Sequence, residues 1–247
     1  MRITLVTHYY PAHRGGIEIV AAELAQRLAE RHDADITWHA SDCDPAPSLA
    51  GVRCVPARSC NVIERRFGLP YPLWSPGALL RVGCAARHAD AVHLHDCLYL
   101  PNLVAYAAAR LAGRPVLVTQ HVGMIPYRNP VLRALLFAAY RVLARVVLGG
   151  ATQVAFVSDS VRRYFDEFVS FRSPPKLIFN GVDTDVFQPV DAARRQALRA
   201  ELGVGQDVPL LLFVGRFVEK KGLPMLHRLA QSQPEARWLF AGWGPLD

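Results

Sequence analysis

No two of the five cysteines, at positions 43, 54, 60, 84 and 97, are spaced as C-x-x-C, and their number is odd. Neither a disulfide framework nor a cysteine zinc site is expected, and a reducing cytoplasmic compartment fits this usage best. The N-terminus lacks a cationic stretch followed by an apolar segment and a small-residue cleavage site, so no secretory leader is expected. No uncharged apolar run approaches the roughly 18 residues of a membrane-crossing helix. A Walker A motif is absent, and where a G-x-G-x-x-G would follow the first apolar run the residues read "HRGGIE" instead. Acidic residues are missing altogether from Cys97 to Ser158, a stretch that holds six arginines. The charge permits nucleic acid, but no nucleic-acid-binding motif occurs, so that partner is not expected.

What is present is globular: 247 residues, 51% hydrophobic and 20% charged. The net charge of +7 (28 Lys and Arg against 21 Asp and Glu) points to anionic partners such as phosphorylated small molecules or anionic lipid. Short apolar runs alternate with helical patterns. "RITLVTHY" (2–9), "ADITWHA" (34–40), "GVRCVPA" (51–57), "DAVHLHD" (90–96), "RPVLVTQH" (114–121), "TQVAFVS" (152–158) and "KLIFNGVD" (176–183) read as strands. Between the first two lies a helix over 17–32 with Ile17, Val20, Leu24 and Leu28 at helical spacing. Ser75 followed by Pro76 opens another, over 75–89. A long apolar helix is expected over 129–150, and one beginning with an acid over 159–168. Alternation of this kind implies an α/β fold, a doubly wound parallel sheet of Rossmann-like type. A polar stretch with a short helix then separates residues 1–190 from a restart at 209–247: strand 210–216, helix 222–233, strand 236–242. Two strands and one helix cannot bury a complete core, so this second domain is expected to be truncated or completed by another chain.

Several residues sit where chemistry is usually placed in such sheets, at the carboxyl ends of strands. Gly15 and Gly16 lie between the first strand and its helix, as a plain turn or as an anion cradle of free N–H groups. Arg216 ends a strand, and Lys220 and Lys221 precede Gly222 at a helix start; the set suits a diphosphate, or is a solvated charged loop. Gly242 and Gly244 permit close backbone approach at the next strand end. His8, His93, His95 and His121 gather at strand ends. "HxHD" has a metal-like spacing, but no third ligand of clear type follows, so no metal is expected. Within "SCNVIERRFGLPYPLWSP" (59–76), Tyr71 and Trp74 either stack on a sugar or cover the sheet edge, beside Arg65 and Arg66. Arg133, Arg141 and Arg145 share one side of the long apolar helix, as a stripe for anionic lipid or as the wet edge of a packed helix.

In order and spacing, "HYYPAHRGGIE", "VHLHD", "PVLVTQH", "VAFVSDSVRRYF", "IFNGVDTDVFQP", "FVGRFVEKKGL" and "FAGWGPL" together resemble glycosyltransferase family 4, retaining enzymes of the GT-B fold. The resemblance runs over essentially the whole chain. It implies an N-terminal acceptor-side domain (1–190), a linker (191–208) and part of a nucleotide-sugar-binding domain (209–247). It further implies that Gly16 with Gly15 meets the donor diphosphate, that Arg216 and Lys221 neutralise it, and that His121 is the catalytic residue beside the transferred sugar. Gly242 and Gly244 become a donor loop; Tyr71, Trp74, Arg65 and Arg66 become acceptor contacts. The implied partners are a nucleotide-sugar donor and a glycan or lipid-linked acceptor. Neither cofactor nor metal is implied, and the place of work is the cytoplasm, with peripheral contact to the inner face of an anionic membrane. The family's Glu-x7-Glu segment is not in this sequence, so the chain is expected to be an incomplete enzyme. The reading from charge alone is a non-catalytic anion- or membrane-binding α/β module.

Overall fold

The computed structural model describes residues 1–123, 129–218 and 221–244. Lys220 and the Pro245–Leu246 end of the last motif therefore lie outside the described residues. The chain divides into two compact units, Met1–Gly181 and Val182–Asp247. The first domain is expected over 1–190, whereas the division falls at 181, and the short helix of the expected linker lies in the second unit.

The first unit is built on seven parallel strands. In chain order they are β1 (Arg2–Val6), β2 (Asp35–Ser41), β3 (Val52–Ala57), β6 (Ala91–His95), β7 (Val116–Gln120), β8 (Gln153–Phe156) and β9 (Lys176–Leu177). Across the sheet the order is β3-β2-β1-β6-β7-β8-β9, so it reverses direction between β1 and β6. The two-residue strands β4 (Ser59–Cys60) and β5 (Leu73–Trp74) form a separate antiparallel pair flanking α2 (Val62–Phe67). The crossovers are α1 (Gly16–His32), α3 (Pro76–His88) and α4 (Leu100–Leu111), then α5 (Pro130–Ala139), α6 (Arg145–Gly150) and α7 (Asp159–Asp166). A π-helical turn, Tyr140–Ala144, joins α5 to α6, so the long helix expected over 129–150 is continuous but under-wound and widened at its middle.

Two cores lie on opposite faces of the sheet. One joins Val82, Leu94, Val118, Leu148, Phe156 and Phe165; the other joins Ile3, Leu5, Ala21, Ala25, Ile36 and Trp38. Small residues set the helix spacing. A Cβ on Gly83 of α3 would stand 3.3 Å from Val104 of α4. Ser75 caps α3 as expected, its hydroxyl accepting from the Ala78 N–H at 3.3 Å. On α1 the structure corrects the expected apolar face: Leu24 is exposed, and the buried residues are Glu18, Ala21 and Ala25. Alanines let the helix approach the sheet closely, and the charge among them has a partner.

The second unit holds α8 (Ala192–Glu201), then β10 (Leu210–Arg216), α9 (Leu223–Ser232) and β11 (Arg237–Trp243), the two strands pairing in parallel. The buried Arg199 of α8 donates to the Gly205 and Val208 carbonyls, which fastens the helix to the loop that leads into β10.

Candidate active site

In an open parallel sheet, the crevice beyond the strand ends opens where the order reverses, here between β1 and β6. The residues that follow β1, β6 and β7 all come to this edge. Past Val6 the backbone stays tied to β2: the Thr7 N–H donates to the His39 carbonyl at 3.1 Å, and the His8 carbonyl accepts from Ser41 at 3.1 Å. The Trp38 indole donates to the Thr7 hydroxyl at 2.8 Å, which itself donates to the Tyr9 carbonyl at 2.7 Å. A fully buried tryptophan thus pins the loop that delivers His8 and Tyr9.

His8 meets the buried charge of α1. Its Nε2 lies 3.0 Å from Glu18 Oε1, with both side chains almost wholly buried. Burial opposes ionisation of Glu18, but the His8 hydrogen bond and charge outweigh it and hold the carboxyl below its ordinary value. The His8 ring also stacks on Tyr99 at 4.1 Å. Further along the loop, His13 stacks on Tyr9 at 3.8 Å, between Asp44 (3.0 Å) and Glu64 (3.2 Å). The Tyr9 hydroxyl contacts Asn61 and Glu64 at 2.6 and 2.9 Å, which ties α2 to the same edge.

After β6, Asp96 adopts a left-handed backbone (φ 64°), unusual for a residue with a side chain. Its carboxylate accepts the backbone N–H groups of His121 (2.8 Å) and Val122 (3.2 Å), so it holds the turn after β7. Asn102 of α4 locks the other side, donating to the carbonyls of His95 (2.6 Å) and Asp96 (2.7 Å). His121 is half-buried, and His95 Nδ1 lies 2.9 Å from its Nε2. Burial lowers the basicity of both rings and drives the His95 value well down. The neighbouring Cys97 is in the core, its thiol pushed well up by burial.

Gly15 is the N-cap of α1 and Gly16 its first residue. A Cβ on Gly15 would collide with the Glu18 carboxylate, whereas one on Gly16 would meet nothing within 4 Å. Gly15 therefore answers to the fold, and Gly16 sits at an open helix N-terminus. Arg65 and Arg66 are exposed in the last turn of α2. Tyr71 is half-buried: its hydroxyl donates to the Leu98 carbonyl (3.0 Å) and accepts from the Leu100 N–H (3.1 Å). Of the two alternatives for Trp74, burial favours the covering role over an acceptor contact. At 5% exposure it belongs to the core under α3, and its ring has no open face for an acceptor.

In the second unit, Arg216 is half-buried at the end of β10, its Nε without a hydrogen-bond partner among the described residues. Lys221 is exposed beside Gly222, which caps α9 with φ 77° and no side chain over the helix end. Gly242 and Gly244 have a steric reason of their own: a Cβ on either would run into the backbone of Gly215 or Phe217. Sequence reasoning found the histidines but missed Glu18, Asp96 and Asn102. The signal for Asp96 was its place in "HxHD"; Glu18 and Asn102 carried none, because each is defined by a partner distant in sequence.

A seven-stranded parallel sheet with polar groups gathered at its switch point, followed by a second βαβ unit, is the GT-B architecture. Sucrose-phosphate synthase from Thermosynechococcus elongatus matches with a TM-score of 0.69 at 19% identity, over 97% of this chain and 62% of that one. The Anabaena protein HepE, solved with UDP-glucose, matches with a TM-score of 0.62 at 16% identity, over 98% and 69%. The chain belongs to Glycosyltransferase Family 4, whose model matches residues 14–186. Among its relatives, the alpha-maltose-1-phosphate synthase of Mycolicibacterium smegmatis is 27% identical over 99% of this chain and 61% of its own length. The GDP-mannose-dependent alpha-(1-6)-phosphatidylinositol monomannoside mannosyltransferase of Mycobacterium tuberculosis is 28% identical over 99% and 61%. The chain thus spans less than two thirds of the length of either relative.

Proposed function

We propose that the intact protein transfers a sugar, with retention of configuration, from a nucleotide-diphosphate sugar to a glycan or lipid-linked acceptor in cell-envelope or glycolipid or polysaccharide biosynthesis. The observation that carries this reading is the pairing of an open helix N-terminus at Gly16 with half-buried His121 at the switch-point edge of a family 4 chain. In the reaction, the bond from the sugar's anomeric carbon to the diphosphate breaks. The acceptor oxygen attaches on the same face, and its proton passes to the leaving phosphate oxygen. Negative charge grows on the diphosphate, and preorganised positive groups lower that barrier. Gly16 N–H, Arg216 and Lys221 are the groups assigned to it, with no metal required; His121 is assigned to the transferred sugar. Gly242 and Gly244 border the donor, and Arg65, Arg66 and Tyr71 face the acceptor.

A lipid-linked acceptor is favoured by a relative that acts on a phosphatidylinositol monomannoside and by the surface of α5 and α6. Val131, Leu135, Val142 and Val146, spaced by four, seven and four residues, are all more than half exposed. Arg133 and Arg145 are exposed on the same helix. Among the described residues no helix is long and apolar enough to cross a membrane. Peripheral attachment at the cytoplasmic face of an anionic membrane suits these features. The same surface also supports the second reading, a non-catalytic membrane-binding module. Calorimetric titration with UDP and GDP separates the two. Binding by the 247-residue chain that falls at least tenfold in Arg216→Ala and Lys221→Ala supports the donor site, and binding unchanged in both variants removes that assignment.

A further inference from the structure

We propose that His95 is a positioning residue for His121: its Nδ1–H donates to His121 Nε2, so His121 carries its own proton on Nδ1 and presents that N–H to the ligand. The last step rests on the sugar site proposed above; the proton assignment does not.

The two rings meet edge to edge. Their nitrogens are 2.9 Å apart, the centroids 5.1 Å apart and the planes 19° apart. Face-to-face rings with centroids that far apart could not bring two ring nitrogens so close. This is the in-plane approach of a ring N–H to a ring lone pair. Burial disfavours the charged form of both rings, so near neutral pH each holds one proton, and one must donate while the other accepts.

The direction follows from the far side of His95. Its Nε2 is buried and has no hydrogen-bond partner among the described residues. If His95 carried its proton there, a buried N–H would be orphaned, a rarer condition in folded proteins than an under-satisfied acceptor. With the proton on Nδ1, only a lone pair is left bare at Nε2, and the single N–H is used. His121 Nε2 then accepts, and its proton must sit on Nδ1. Among the described residues the His121 ring has no second hydrogen-bond partner, so Nδ1 is the nitrogen left for a ligand.

Both partners are held from behind. Asp96 fixes the His121 backbone, and Asn102 fixes the His95 carbonyl. The His93 ring packs 4.6 Å from His95 and is itself anchored to the Thr119 hydroxyl at 2.8 Å. The His95 ring is itself wholly buried against His93, which keeps it in place, so the tautomer of His121 is set by the β6–β7 edge. A sugar hydroxyl meeting Nδ1 would be required to accept.

The test is long-range proton–nitrogen NMR on the 247-residue chain with nitrogen-15 histidine, near neutral pH and without nucleotide. The His121 signals are assigned by their loss in His121→Asn. The expected result is a protonated Nδ1 and a bare Nε2 for both His95 and His121. His95→Phe should release the His121 tautomer, while His95→Gln, with an amide donor at that place, should retain it. A His121 proton found on Nε2 in the unaltered chain, or averaged over both nitrogens, overturns the proposal, and that measurement decides even where a variant fails to fold. A chain with the expected tautomer that binds neither UDP nor GDP would leave the proton assignment standing and remove the donor site.

Discussion

A methyl group added at Gly15 would land on the Glu18 carboxylate, while one added at Gly16 would point into open space. The adjacent glycines therefore separate fold from function by experiment. Gly15→Ala is expected to lower stability by about 1–3 kcal/mol, because it displaces a buried, paired carboxylate. Gly16→Val should change stability by less than about 1 kcal/mol, since the helix start tolerates a side chain there. The same branched side chain would shield the N–H groups that a phosphate must reach, so UDP and GDP binding should weaken at least tenfold. Chemical denaturation and calorimetry on the two variants check both halves. A Gly16→Val chain that binds as tightly as the unaltered one would show that the cradle lies elsewhere. At this scale the sequence was half legible. "GG" announced a special backbone site, but only the fold shows that its first member makes room for a side chain three residues on.

Elements show why some readings transferred and others did not. The Ser75 cap was readable because its donor lies three residues away in the same segment. The strands β4 and β5 were not, since two residues cannot display a period, and with them went the clue that Trp74 faces inward. On α1 the large apolar residues suggested one face, but close approach to the sheet selected the alanines. The arginine stripe on α5 and α6 also changed character. Arg141 lies 4.4 Å over the Phe168 ring, and Arg145 donates to the Phe168 carbonyl at 3.0 Å, so both fasten the helix to the segment after α7. Membrane attachment would then depend on the apolar row more than on those two charges. The chain is expected to float with vesicles containing anionic lipid, and Leu135→Glu with Val142→Glu should remove most of that fraction. Both positions are well exposed, so the fold should tolerate the change. Flotation unaffected by the double variant would take the row out of the interface.

Across the whole molecule, buried neutral histidines set a pH limit. His39 and His93 are each depressed to about 4, mainly by burial, and His95 and His121 are lowered as well. In the unfolded chain these groups take up protons near pH 6.5, before they do so in the fold. The unfolded state then binds more protons, so stability is full above about 6.5 and falls as pH drops towards 4. Each histidine contributes a slope of about 1.4 kcal/mol per pH unit where it is steepest. Glu18, held low, adds a loss in the same sense at lower pH; Asp96, raised by burial, opposes it. Urea midpoints for the first unit should fall steadily from pH 7 to 4.5, and midpoints that stay flat would mean these rings are solvated. The alternation of strands and helices made the doubly wound sheet readable in advance. The acid-sensitive interior was not, because it depends on which histidines the strand order buries.

Cys97 stands one residue past Asp96, sealed in the core with its thiol hard to ionise, while Cys54 is half-buried and Cys43, Cys60 and Cys84 are exposed. An alkylating reagent therefore meets three populations in one chain. The three exposed sulfurs react at the pace of the reagent, half-buried Cys54 more slowly, and Cys97 waits for the core around it to open. Its reaction rate is a clock for the opening of that core, supplied by the native sequence and needing no engineered label.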